Sequence, residues 1–311
     1  MGWKSSDIPD LTGKVAVVTG GNGGLGLATS RQLAAHGATV VIGARNLVKA
    51  ETARKSIESA VPGACVEIFA LDLSSLASVA SFARDVRAAH PIVHMLFNNA
   101  GVMAVPEGKT TDGFETQFGT NYLGHFALTM QLLPALLAAS ATGDAARVVT
   151  TSSIARMTAG KFDLANLQLC GDCYDPWTAY GISKRADLEF AIELDRRLAG
   201  RGVRSFASDP GLSKTDLQQT SARSMKSLQH RFWVIATPVI GQPASMGALP
   251  QLRAATDPAA VGGSLYAPRW ISFGAPVIRK VARKMADPVE QAAVFELAER
   301  ETGLTLAAAL A

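Results

Sequence analysis

Lys14-Val-Ala-Val-Val-Thr19-Gly20-Gly-Asn-Gly-Gly-Leu-Gly26 decides the fold. Lys14 to Thr19, with its valines at positions 15, 17 and 18, reads as a buried strand. The glycines at 20, 21, 23, 24 and 26 follow it directly, and Leu25 to His36 reads as a helix stopped by Gly37. A glycine turn between a strand and a helix lets backbone pass close to a pyrophosphate. The helix start adds free N–H groups and the positive end of its dipole. Gly21, Gly23 and Gly26 fit G-x-G-x-x-G literally, while Gly20, Gly24 and Gly26 fit T-G-x-x-x-G-x-G. The sequence leaves both registers open. Gly20, Asn22, Gly23, Gly24, Leu25 and Gly26 are the candidate cofactor contacts of this turn.

Outward from this unit the same alternation repeats. Strands are expected at 39–42, 65–70, 93–97, 146–151 and 203–207, with a further one at 263–266. Helices are expected at 47–60, 76–90, 113–139, 178–199 and 288–301. Continuous apolar strands alternating with helices imply a parallel sheet covered on both faces. Right-handed crossovers make it doubly wound, so residues 1–311 are expected to form one Rossmann-like α/β domain of about seven strands. Ligands of such sheets bind at the carboxyl ends of the strands. Residues 212–245 break the rhythm just after the sixth strand and read as a substrate lid, and 267–311 form a C-terminal extension.

The composition is that of a globular protein with a large core: 48% hydrophobic, 18% charged, 311 residues. The net charge of +4 is small and scattered, which disfavours nucleic acid as a partner. The densest basic stretch, Arg279-Lys280 with Arg283-Lys284, has helical spacing and reads as a solvated helix face. Three cysteines fit a reducing compartment. Cys170-Gly-Asp-Cys173 lacks the second pair that a structural zinc site needs, so no metal is expected. The first seven residues lack the apolar core of a signal peptide. The apolar stretch from Phe126 to Ala141 is broken by Thr129, Gln131 and Pro134 and falls short of a bilayer span. A cytoplasmic protein with no membrane span is therefore expected.

Three sites carry chemistry. The second strand ends Ile42-Gly-Ala-Arg45-Asn46, without the carboxylate that usually holds an NAD ribose. The planar fork of Arg45 suits a 2′-phosphate instead, so NADP(H) is favoured, with NAD(H) left open. Asp72, after the third strand, either accepts from the adenine amino group or caps the next helix. Lys184 follows Tyr180 by one helical turn, so the two side chains share a face. Tyrosine titrates near pH 10 in water, and a neighbouring ammonium is expected to lower that value. Alone, this spacing is common by chance.

Taken in order, Thr19-Gly-x-x-x-Gly-x-Gly26, Asn98-Asn-Ala-Gly101, Asn121, Ser153, Tyr180-x-x-x-Lys184 and Pro210-Gly-x-x-x-Thr215 resemble the short-chain dehydrogenase/reductase family over about residues 13–266. Asn121-Tyr-Leu-Gly-His-Phe126, Pro176-Trp-Thr-Ala-Tyr180 and Ala44-Arg45-Asn46 resemble its NADP-preferring retinol dehydrogenase and protochlorophyllide reductase-like branch. The resemblance implies Tyr180 as the acid or base and Lys184 as its partner and a ribose ligand. It implies Ser153, rather than its neighbour Ser152, as the group that holds the substrate oxygen, and Asn121 as the holder of a water that relays protons to Lys184. Asp72, Leu73, Asn99, Ala100 and Gly101 would then line the adenosine half, and Pro210, Gly211 and Thr215 the nicotinamide half. One departure is Asp209, where that branch often has His or Asn. The implied activity is NADP(H)-dependent interconversion of an aldehyde or ketone with an alcohol. The run Phe232 to Ile235 suggests a lipophilic substrate. A catalytically silent NADP-binding regulator is the rival, and the retained tetrad argues against it. A methyltransferase would not need the tyrosine–lysine pair, and a hydrolase lacks its G-x-S-x-G serine. The helices around Phe126 and after Tyr180 could pair copies into a homodimer or homotetramer, unless the C-terminal extension covers one of these surfaces.

Overall fold

The computed structural model describes residues 2–159, 162–213 and 241–311. The valine-rich strand β1 (Val15–Thr19) stands near the middle of an eight-stranded sheet. Its order is β3-β2-β1-β4-β5-β6-β7-β8, with β2 at Thr39–Ala44, β3 at Val66–Ala70, β4 at Met95–Asn98, β5 at Ala146–Thr151, β6 at Val203–Ser208 and β7 at Leu265–Pro268. These seven run parallel. The expected count of about seven is one short. β8 (Pro276–Arg279) pairs antiparallel with β7 through a tight reversal, and four residues at a sheet edge carry too little alternation to be read from sequence. β8 also corrects the reading of the basic stretch. Arg279 ends a strand, and Arg283–Met285 is a short 3-10 turn rather than part of a longer helix.

Helices α1 (Gly24–Ala35), α2 (Leu47–Ala60) and α6 (Leu249–Thr256) cover one face. Helices α3 (Leu76–Ala89), α4 (Thr116–Ala141) and α5 (Pro176–Arg197) cover the other. α5 starts two residues earlier than expected because Asp175 caps Thr178 N–H and Pro176 occupies the first turn, where its missing donor costs nothing. α4 starts three residues later, at Thr116, because Glu115 turns its carboxylate onto the N–H groups of Gln117 and Phe118. Between Gly119 and Leu123 its winding opens into a π turn.

α4 has the length and apolar composition to cross a membrane, which corrects the reading that its apolar stretch is too short. In the fold 72% of its most apolar window is buried within the protein. The C-terminal extension closes over this region. Its helix α7 (Pro288–Thr302) packs Phe295 against Phe126 at 5.1 Å and Phe190 at 5.9 Å between ring centroids, and its Val294 carbonyl accepts from the Tyr122 hydroxyl at 2.9 Å. The aromatic faces of α4 and α5 are thus covered by the chain's own extension, and Phe126 is fully buried. Phe126 itself is therefore a core residue of the single chain.

Strand order reverses between β1 and β4. In sheets of this kind the ligand crevice lies beside that reversal, at the carboxyl edge.

Candidate active site

The glycine turn leaves β1 at this crevice. Gly20 and Gly24 have φ of +65° and +51°, a left-handed backbone that favours glycine. Gly26 presses onto the turn: a Cβ there would lie 2.2 Å from the Gly20 carbonyl oxygen and 2.7 Å from Asn99 Nδ2. These positions pick out the Gly20, Gly24, Gly26 register. α1 begins after Gly23 without a side-chain cap, so its first N–H groups are left to a ligand. Asn22, Gly23 and Leu25 are partly exposed on the same turn. Such a cradle fits a dinucleotide pyrophosphate.

Arg45 is exposed just past the carboxyl end of β2, and Asn46 beside it caps α2. Asp72 turns back on its own loop, accepting from Ser74 N–H at 3.0 Å and Ser74 Oγ at 2.7 Å. The capping of α3 belongs to Ser75. Leu73 is buried beneath this loop.

The loop after β4 is held to β1 by Thr19. Its hydroxyl oxygen accepts from the N–H groups of Asn99 and Ala100, both at 2.9 Å, and Asn99 Nδ2 donates to the Thr19 carbonyl at 2.9 Å. The Thr19 hydroxyl also meets His125 Nε2 at 2.9 Å, and His125 Nδ1 meets the Asn121 carbonyl at 2.7 Å. A carbonyl only accepts, so Nδ1 carries the proton and Nε2 accepts from Thr19. Burial pushes His125 down to about 3, which keeps it neutral. Gln251 of α6 completes the bracket, reaching Thr29 Oγ1 at 2.5 Å and Asn99 Oδ1 at 3.3 Å and accepting from Thr151 Oγ1 at 3.0 Å. Sequence reading assigned no role to Thr19, His125 or Gln251. The i,i+4 spacing of Asn121 and His125 was the one available signal.

The proton-handling groups gather at the carboxyl ends of β5 and β6. Ser153 begins a short 3-10 turn, its hydroxyl accepting from the Ala155 N–H at 3.2 Å, and it lies close enough to the Tyr180 phenol to favour its ionised form. Ser152 points the other way and donates to the Lys184 carbonyl at 2.6 Å. The two neighbouring serines, just past the end of β5, thus face different partners. Tyr180 is 8% exposed. Lys184 Nζ donates to the Thr151 carbonyl at 2.9 Å and to Asp187 Oδ2 at 2.8 Å. Asn121 approaches from α4: a Cβ on Gly101 would lie 2.9 Å from Asn121 Oδ1 and 3.7 Å from Lys184 Nζ. The Asn121 amide is committed to bonds with Val102 N–H, the Val102 carbonyl and Ser183 Oγ, so it braces the loop after β4. The water-holding role rests on the resemblance alone.

One expectation is corrected here. Burial raises Tyr180 above the ordinary tyrosine value, and the lowering effects of Lys184 and Ser153 only partly offset it. Asp187 and Asp209 add to the rise. Asp209 bonds the Arg156 guanidinium at 2.5 Å and the Gly211 N–H at 2.9 Å, which locks the bend at Pro210-Gly211. Thr215 and most of the expected lid lie outside the described residues. The ends of that segment meet, Gln242 N–H donating to the Leu212 carbonyl at 2.9 Å. Cys170 and Cys173 are free and exposed, and no group of metal-ligating side chains occurs among the described residues.

Comparison with known proteins agrees with this geometry. The family model for short chain dehydrogenases matches residues 14–226. A short-chain dehydrogenase/reductase of Armillaria gallica is 38% identical over 308 residues, covering 96% of this chain and 93% of its own. Retinol dehydrogenase 12 of Mus musculus is 44% identical over 211 residues, 68% of this chain and 65% of its own. The crystal structure of an uncharacterised protein from Mycobacterium paratuberculosis superposes with a TM-score of 0.79 at 36% identity, covering 98% of this chain and 99% of its own. The chain belongs to the short-chain dehydrogenase/reductase family and is an NAD(P)-dependent oxidoreductase of its retinol-dehydrogenase-like branch.

Proposed function

We propose that the protein interconverts a hydrophobic aldehyde or ketone with its alcohol, that NADP(H) is its cofactor, and that Tyr180 donates and accepts the proton. The observation that carries this reading is the buried Tyr180 phenol with Lys184 one turn further along the same helix, its Nζ 6.0 Å from the tyrosine ring centroid. The bound nicotinamide supplies or takes the hydride. Ser153 holds the substrate oxygen beside the phenol. Tyr180 gives its proton to that oxygen in reduction and recovers it in oxidation. Burial keeps the phenol protonated near neutral pH, which favours reduction there and oxidation at alkaline pH.

The cofactor preference is supported by Arg45 at the end of β2, where no carboxylate stands. The substrate class is supported by the likeness to a retinol dehydrogenase. Three free, exposed cysteines support a reducing, cytoplasmic location.

The test compares the parent chain with Tyr180→Phe on a panel of lipophilic and polar carbonyls, with NADPH and NADH. Tyr180→Phe is expected to lose about 10³-fold in kcat while still binding cofactor. Full activity in that variant overturns the assignment of Tyr180. A preference for NADH, or for small polar sugars, overturns the cofactor or the substrate class.

A further inference from the structure

We propose that Asp187 is a positioning residue for the proton transfer: it is the fixed counter-ion of Lys184 and sets how strongly that ammonium acts on the Tyr180 phenol. The proposal rests on the reading of Tyr180 and Lys184 given above. Asp187 lies on α5 three residues after Lys184, on the same face, and its carboxylate is 1% exposed. Its Oδ2 accepts from Lys184 Nζ at 2.8 Å, and its Oδ1 has no hydrogen-bond partner. The residue stands mid-helix, so it caps nothing. A buried ion pair rarely stabilises a fold better than apolar side chains would. Stability alone does not account for a carboxylate here.

The groups around the pair define its effect. From α4, Tyr122 and His125 face it. Burial holds the Tyr122 phenol un-ionised and His125 neutral, so neither contributes charge. From the end of β6 comes Asp209, which is paired with Arg156. β5 contributes only the Thr151 carbonyl. Around the phenol, among the described residues, Lys184 is therefore balanced by Asp187 and Asp209 by Arg156. Removing the Asp187 carboxylate leaves an unbalanced ammonium beside Tyr180. That favours phenolate, and Lys184 itself gives up its proton more readily.

Asp187→Asn tests this in the full-length protein. Two readouts are taken: the pH profile of kcat/KM for alcohol oxidation, and the ultraviolet absorbance of the phenolate, as parent minus Tyr180→Phe. Each is expected to move to lower pH by about one unit in Asp187→Asn. Asp187→Ser, neutral and smaller, gives the same comparison where the amide does not fit. Unmoved titrations beside an inactive Tyr180→Phe overturn this proposal alone. A fully active Tyr180→Phe overturns it together with the function on which it rests. Failure of both Asp187 variants to fold makes the residue structural and also overturns it.

Discussion

The turn after β1 and the inner face of α5 meet at one edge of the sheet, yet they are held by opposite kinds of chemistry. Around the turn, the bracing polar groups are the buried Thr19, His125 and Gln251 and the half-buried Asn99, all uncharged. Along α5 they are titratable groups in pairs: Lys184 with Asp187, Arg185 with Glu189, and Glu193 with the more exposed Arg196 and Arg197. The difference follows from the tasks. A pyrophosphate is best met by backbone N–H groups and a helix dipole, and a neutral bracket fixes these without adding a charge that would repel or trap the ligand. Proton transfer needs titratable groups whose charges are set by neighbours. The comparison implies that geometry governs the first region and pH the second.

The strongest way to break that division is Gly26→Ala. The new Cβ would lie 2.2 Å from the Gly20 carbonyl oxygen, so α1 must shift from the turn. Overpacking of this kind costs about 3 kcal/mol, or roughly 100-fold in cofactor Kd. A fluorescence titration with NADPH reads the loss. The Tyr180 phenolate titration is expected to stay where it is, and its movement would show that the two regions are one unit.

His125→Phe acts next. It takes the donor from the Asn121 carbonyl and the acceptor from the Thr19 hydroxyl. The cost is about 2 kcal/mol, read as a lower Tm at pH 7. The pH dependence sharpens the point. His125 titrates at about 3 in the folded protein, below its ordinary 6.5, so the unfolded chain binds the proton more tightly. Its contribution is present above pH 6.5 and is lost as the pH falls towards 3, by about 2 kcal/mol at pH 5. The parent Tm should drop on acidification below 6.5. In His125→Phe that acid limb should flatten, and an unchanged limb would remove His125 as its source.

How far this was legible in the sequence differs between the two regions. The strands and their parallel order could be read because Val15–Thr19, Met95–Asn98 and Ala146–Thr151 are buried almost throughout. The glycine turn could be read as a site, though its register needed the φ values of Gly20 and Gly24. Tyr180 and Lys184 could be singled out only by the ordered motifs around them, since their spacing alone is common by chance, and the sign of the net shift on Tyr180 could not be read at all, because burial is a tertiary property. His125 and Asp187 were hidden for the same reason. A histidine or aspartate on a helix is normally solvated, and only packing shows which face is closed. The π turn at Gly119–Leu123, which contains Asn121, leaves no composition signal.

The smallest effect tests whether the charges of α5 are a set or separate devices. Glu189 is buried and bonds Arg185 Nε at 2.8 Å, but Arg185 is shared with Glu290. Burial pushes Glu189 up to about 8, and the bond from Arg185 only partly opposes this. The folded protein thus keeps a proton that the unfolded chain, titrating near 4.5, gives up. Stability from this group is full below pH 4.5 and is lost as the pH rises through 8, a slope opposite in sign to that of His125. Glu189→Gln removes the titration while keeping the shape. Its Tm at pH 8 is expected to rise by about 2 °C relative to the parent, with little change at pH 5. Glu189 is not among the groups that shift Tyr180, so the phenolate titration should be unmoved in Glu189→Gln and displaced in Asp187→Asn. Equal displacement in both would mean that the helix acts as one electrostatic unit, and that the pairing of Asp187 with Lys184 has no special hold on the tyrosine.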